Sequence, residues 1–325
     1  MNMLERPRRL RKNLAIRNAT SETELNHKHL VWPVFIRDGQ NKREDIQALP
    51  GCQRLSVDQV VHDCEKLMGL GLQSVALFPC IEDSLKDHKA AEAVNPDGLV
   101  PKAIRQLKKM LPELLVITDV ALDPFSSDGH DGLVKDGVVL NDESIVVLSE
   151  QARLHSEAGA DFVAPSDMMD GRVGWIRRAL DEAGHTNTGI ISYTAKYASA
   201  FYGPFREALA SAPRFGDKKT YQMNPANVRE ALREARLDRK EGADILMVKP
   251  ALAYLDVITR IQQRTDLPVA AYNVSGEYAM VKAAVHHKWL EEKPVVLEIL
   301  TSIRRAGASL IFSYHTPDVL KWLKG

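Results

Sequence analysis

Two lysines stand just beyond short apolar runs: Lys196 after "TGIISYTA" and Lys249 after "ADILMV". An ordinary lysine titrates near about 10.4, so at neutral pH almost none of it is free amine. Burial, or a second cation alongside, disfavours the ammonium and lowers that pKa. Two lysines on adjacent strand ends would do both to each other, and a neutral amine can attack a ketone to form a Schiff base. A single lysine at a strand end commonly points into solvent or pairs with a carboxylate. Two of them, framed by acidic and aromatic residues, shift the balance towards chemistry, yet spacing alone leaves both readings open. The acidic frame is the block "TDVALDPFSSDGHDG", with Asp119, Asp123 and Asp131.

The elements that must position these groups follow a regular order. In "DILMVKPALAYLD" the apolar run Ile245 to Val248 reads as a buried parallel strand. Pro250 cannot donate to a ladder, so the strand should stop near Lys249. Four stretches look alike, "GLGLQSVALFP", "EAGADFVAPSD", "EGADILMVKP" and "RAGASLIFSYH". Each fits a helix that ends at a glycine and turns tightly into a strand. Four further runs, "LVWPVFI", "LLVITDVAL", "TGIISY" and "PVAAYNV", bring the candidate strands to eight, most of them separated by helical patterns. Strand–helix alternation on that scale implies an α/β fold with a parallel sheet closed into a (β/α)8 barrel, a TIM barrel, whose chemistry lies at the C-terminal ends of the strands.

Bulk properties narrow the function classes. The chain has 325 residues, 45% hydrophobic, with 43 basic and 43 acidic side chains, so no overall charge argues for nucleic acid or membrane. Its three cysteines, Cys52, Cys64 and Cys80, lack metal-ligand spacing and suit a reducing compartment. With no bilayer-length apolar stretch and no apolar signal core, the expected location is the cytoplasm. Residues 1–28, with the arginine-rich "MNMLERPRRLRKN", stand outside the repeating pattern and read as a mobile tail or an arm for oligomer contacts. The barrel is expected over residues 29–325.

"GADILMVKPALAYLD" closely resembles the signature of the porphobilinogen synthase (5-aminolevulinate dehydratase) family, through Gly242, Asp244, Lys249, Pro250, Tyr254 and Asp256. "TDVALDPFSSDGHDG", "APSDMMDGRVG", "SYTAKYASAFYGPFR", "TYQMNPAN" and "VSGEYAM" are similar to the family's other blocks, in the same order, from about residue 30 onward. The resemblance implies a hydro-lyase of tetrapyrrole (heme or chlorophyll) biosynthesis. It would condense two molecules of 5-aminolevulinate into porphobilinogen with loss of two waters, using no organic cofactor. It also implies roles. Lys249 would form the Schiff base with the P-side substrate and Lys196 would engage the A-side substrate. Ser275 and Tyr314 would hold the first carboxylate; Arg206, Lys218 and Gln222 would hold the second, with Lys219 adjacent to Lys218 as an alternative. The Gly-, Ala- and Ser-rich "FYGPFREALASAPRFGDKKTYQ" would be a lid.

Zinc-dependent relatives place cysteines where Ala121, Asp123 and Asp131 stand, so the resemblance points to an aspartate-rich, zinc-independent subtype without active-site zinc. Asp119, Asp123 and Asp131 would stabilise ammonium or iminium charge, bind the A-side amine, or recruit a hard cation. Glu234 matches the glutamate that anchors an allosteric, activating magnesium in some relatives. His130 has no partner legible in the sequence. The family further implies a homo-oligomer, commonly an octamer, whose N-terminal arms embrace neighbouring barrels. Two rivals remain at this level: an aldolase-like lyase needing one Schiff-base lysine, and a non-catalytic barrel scaffold or metal-binding protein.

Overall fold

The computed structural model describes residues 4–209 and 214–324. Twelve strands follow in chain order: β1 Leu30–Arg37, β2 Arg43–Asp45, β3 Gln53–Ser56, β4 Ser74–Cys80, β5 Leu115–Val120 and β6 Leu133–Lys135. Then come β7 Val138–Leu140, β8 Phe162–Pro165, β9 Gly189–Lys196, β10 Ile245–Lys249, β11 Val269–Asn273 and β12 Leu310–Ser313. The eight strands expected from the sequence form the barrel in the parallel order β1-β4-β5-β8-β9-β10-β11-β12, and β12 returns to β1 with Leu30 opposite Ile311. Closure leaves no unpaired edge between the barrel strands, and the surrounding helices cover their outer faces.

Alternation along each strand splits the apolar residues into two cores. Ile191, Ile245, Met247, Phe78, Phe312 and Tyr272 fill the barrel interior. Ile190, Leu246, Val248 and Val116 pack outward against the helices. The repeated glycine ends each preceding helix as anticipated. Gly242 adopts φ 103° after the helix Arg229–Glu241, and Gly307 adopts φ 119° after Glu292–Arg305. Only a residue without Cβ takes that backbone cheaply, and the reversal aims the chain straight into the next strand.

Outside the barrel, the start of the expected arm (residues 1–3) lies outside the described residues. The rest carries a 3-10 turn at Pro7–Arg11 and a helix at Leu14–Ala19, neither with a buried side chain. Leu4, Leu10 and Leu14 are each more than half exposed there. Within the expected lid block, residues 210–213 lie outside the described residues, while Gly203–Leu209 is a short helix. No helix among the described residues is long and apolar enough to cross a membrane.

Candidate active site

Lys249 and Lys196 are directly paired in register across β10 and β9, and they face the barrel interior for different reasons. On β10, Ile245 and Met247 point inward, so simple alternation brings Lys249 in next. On β9, Ile191 and Tyr193 point inward, and unbroken alternation would turn Lys196 out. A bulge intervenes. Ile191 and Ser192 pair with Ile245 and Leu246, but Ala195 and Lys196 pair with Val248 and Lys249, so β9 carries one residue more than β10. Ala195 therefore packs in the outer core and Lys196 turns inward.

The Lys249 amine sits among aromatic rings. Its Nζ lies 4.6 Å from the ring centre of Tyr272, 4.8 Å from Phe205, 5.1 Å from Tyr193 and 5.3 Å from Tyr202. Among the described residues it makes no hydrogen bond or ion pair of its own. Burial, and next the neighbouring Lys196 ammonium, bring its pKa down to about 7, against a partial pull upward from Asp119. A sizeable fraction is therefore free amine at neutral pH. Asp119 Oδ1 and the Tyr193 hydroxyl of the same pocket are also buried, without a hydrogen-bond partner among the described residues.

Lys196 stands in a different setting. Its ammonium donates to the Ser166 carbonyl and lies 3.4 Å from Asp131 Oδ2. Lys218 bridges Asp131 and Asp123, 2.8 Å from Asp131 Oδ1 and 3.1 Å from Asp123 Oδ2. Burial alone would raise Asp131, but Lys196 and Lys218 together hold it well below the ordinary carboxylate range. Burial dominates at Asp123, which is raised, and at Asp119, which burial and then the Asp123 charge push up to about 7. The three carboxylates are thus differentiated, one firmly ionised and one half-protonated near neutrality.

Around these groups remains a cavity of about 30 Å³, whose walls include Arg206, Gln222 and Lys218 together with both lysines and all three aspartates. Lys218 is buried there, whereas Lys219 is exposed and pairs with Asp217 at 3.0 Å, so only the former reaches the site. Ser275 and Tyr314 stand one layer away. The Ser275 hydroxyl accepts the Phe205 N–H at 3.1 Å, and the Tyr314 hydroxyl lies 3.0 Å from that of Tyr272. Ser166, Tyr193, Tyr202, Phe205 and Tyr272 join the site without having been singled out from the sequence. An aromatic residue on a buried strand reads as core until the fold shows which end of the barrel it faces. His130 does have partners: it is buried, with its ring nitrogens 3.2 Å from the Tyr221 hydroxyl and 3.1 Å from the Phe215 carbonyl.

Glu234 lies apart from this cavity. It lines a separate one of about 780 Å³ with Asp170, Asp217 and Glu230, and burial followed by repulsion from Asp238 pushes it up to about 7. Among the described residues no group of three or more His, Cys, Asp or Glu side chains is arranged to hold a metal ion.

The chain matches the family model described as delta-aminolevulinic acid dehydratase over residues 4–322. It is 56% identical to the chloroplastic delta-aminolevulinic acid dehydratase of Physcomitrium patens, covering 99% of this chain and 74% of that one. It is 51% identical to the corresponding protein of Chlamydia pneumoniae, over 99% and 97%. A crystal structure of delta-aminolevulinic acid dehydratase (porphobilinogen synthase) from Toxoplasma gondii, in complex with the reaction product porphobilinogen, superposes with a TM-score of 0.97. That superposition covers 98% of this chain and 92% of the other, at 49% identity. With a barrel of that shape, two paired lysines and a match along nearly its whole length, the chain belongs to the delta-aminolevulinic acid dehydratase family of hydro-lyases.

Proposed function

We propose that this chain is a porphobilinogen synthase that condenses two molecules of 5-aminolevulinate through two adjacent lysines. The register pairing of Lys249 with Lys196, one amine lowered by burial towards neutrality and the other beside an ionised aspartate, carries this reading. Lys249 attacks the ketone of the P-side substrate, and loss of water leaves a Schiff base whose iminium withdraws electrons from the adjacent carbon. Lys196 engages the A-side ketone in the same way. Covalent tethering side by side turns a two-molecule encounter into a nearly intramolecular reaction. One carbon–nitrogen bond, from the P-side amine to the A-side ketone carbon, and one carbon–carbon bond, from the carbon next to the A-side ketone to the P-side ketone carbon, account overall for the two waters lost, and both lysines are returned free.

Ser275 and Tyr314 are the P-side carboxylate binders, and Arg206, Lys218 and Gln222 the A-side ones. Lys218 would exchange its present aspartate partners for the substrate carboxylate, leaving Asp123 and Asp131 to hold the A-side ammonium. A cavity of about 30 Å³ admits neither substrate, so entry requires Phe205, Arg206 and the loop carrying Lys218 to move apart. Asp123 and Asp131 are hard ligands already neutralised by lysine, and Ala121 offers only a methyl, so these residues do not suit zinc. Glu234 suits magnesium better. Its carboxylate is half-buried beside Asp170 and Glu230, where positive charge is favoured, and magnesium keeps most of its waters and needs few protein ligands. Bound there it would supply an activating positive charge away from substrate. We further read the arm, with its exposed leucines and arginines, as the segment that builds a homo-octamer, and place the protein in the cytoplasm on the strength of its three free cysteines.

The test is direct. Incubation with 5-aminolevulinate should yield porphobilinogen, and borohydride should trap an adduct that peptide mapping places on Lys249. Label on neither Lys249 nor Lys196 would overturn the Schiff-base mechanism; label on Lys196 alone would reverse the two roles.

A further inference from the structure

The groups assigned to the P-side substrate lie on three strand ends: Lys249 closes β10, Ser275 follows β11 and Tyr314 follows β12. One buried carboxylate ties these ends together. Glu277, in the first turn of the helix Ser275–His286, is 1% exposed. Its Oε1 accepts the N–H of Leu252 at 2.8 Å, three residues beyond Lys249. Its Oε2 accepts the Asn273 side-chain amide at 2.9 Å and the Val274 N–H at 3.0 Å. Asn273 Oδ1 in turn accepts from the Ser313 hydroxyl at 3.0 Å, and Ser313 Oγ accepts the His315 N–H at 3.2 Å. A continuous run of hydrogen bonds therefore crosses from the β10 end to the β12 end with Glu277 near its centre.

The ordinary role of a glutamate in a first helical turn is to cap the helix. Capping accounts for the bond to Val274 and for nothing else. The bonds to Leu252 and Asn273 reach other elements, and all these partners are N–H donors rather than cations, so the carboxylate is committed to geometry rather than to charge pairing.

We propose that Glu277 is a positioning residue that sets the distance between the Lys249 amine and the Ser275 and Tyr314 hydroxyls, and so selects a ketone carrying a carboxylate at that reach. This rests on the Schiff-base reading above. In Glu277→Gln an NH2 replaces one oxygen, and whichever way the amide turns it sets a donor against a donor. The β10 end then comes loose from the β11 end on one side or the other, while Lys249 keeps its own pocket.

Borohydride trapping at Lys249 distinguishes the possibilities, using 5-aminolevulinate and aminoacetone, a shorter amino ketone without the carboxylate. In Glu277→Gln the half-saturating concentration of 5-aminolevulinate should rise roughly tenfold, about the loss of one charge-assisted hydrogen bond. That for aminoacetone should stay within about twofold. Ser313→Ala, at the far end of the run, should shift in the same direction by less, and it decides the matter if Glu277→Gln does not fold. Equal losses for both ketones, or no loss for either, would overturn the proposal. Absence of any Lys249 adduct in the unsubstituted protein would instead bring down the assignment of the P-side Schiff base to Lys249, on which this proposal rests.

Discussion

Lys249 and Lys196 are the same residue type one strand apart, yet their surroundings divide the work. Among the described residues Lys249 has aromatic rings and no ion pair, whereas Lys196 has Asp131. Because Lys196 is the second-largest influence lowering Lys249, after burial, Lys196→Met should move the acid limb of Lys249 trapping to higher pH while leaving the adduct attainable. Asp119→Asn removes a charge that raises Lys249 and should move the limb to lower pH. A pH series of borohydride trapping reads both, and shifts in one common direction would refute the electrostatic account. Stability carries the opposite cost. With its folded pKa at about 7 against roughly 10.4 unfolded, Lys249 binds fewer protons folded than unfolded between those values. Stability therefore rises with pH across that window, and the penalty is fully present below it. Lys249→Met should melt higher than the unsubstituted protein at pH 7, with the gap closing towards pH 10 in thermal scans.

At the level of elements, the site depends on how the segment after β9 is seated on the helix Ser275–His286. Ser275 donates to the Phe201 carbonyl at 3.3 Å and accepts from Phe205 N–H, so one hydroxyl anchors the stretch that carries Tyr202, Phe205 and Arg206. Gly276 permits the approach. A Cβ there would meet the Phe201 carbonyl oxygen at 2.5 Å and its Cα at 2.8 Å, and neither can step aside without moving backbone. Gly276→Ala should therefore displace the Phe205 ring from Lys249, raising KM by about an order of magnitude while circular dichroism stays unchanged, on the scale of a contact loss of ~1.4 kcal/mol. Unaltered kinetics would mean that this seating does not govern the site.

At the scale of the whole molecule, the arm and the Glu234 cavity bear on assembly and activation rather than on the condensation itself. The arm exposes Leu4, Leu10 and Leu14, and neither its 3-10 turn nor its helix buries a side chain, which is the pattern of a segment waiting for another surface. Deleting residues 1–28 should shrink the assembly in sedimentation and lower activity, and a truncated protein of unchanged size and full activity would reduce the arm to a tail. For the metal, elemental analysis of active protein should find no stoichiometric zinc. Magnesium added back after chelation should stimulate turnover, and Glu234→Ala should abolish that stimulation without abolishing basal activity. One tightly held zinc per subunit, required for turnover, would refute the reading of Ala121, Asp123 and Asp131.

By itself, the order of apolar runs and glycine turns determined the eight-stranded barrel, because strand period and helix-ending glycines are local properties written in neighbouring residues. The inward aim of Lys249 was equally local, two residues on from Met247 along an unbroken strand. Lys196 was not. Its direction hangs on one extra residue in β9, and a bulge exists only relative to the partner strand it fails to match. The aromatic cage has the same character, since Tyr193, Phe205 and Tyr272 come from separate elements and become neighbours of one amine only when the barrel closes. The pKa values that make the lysines differ follow from that closure, because desolvation and Coulomb coupling act across space and take no account of separation along the chain.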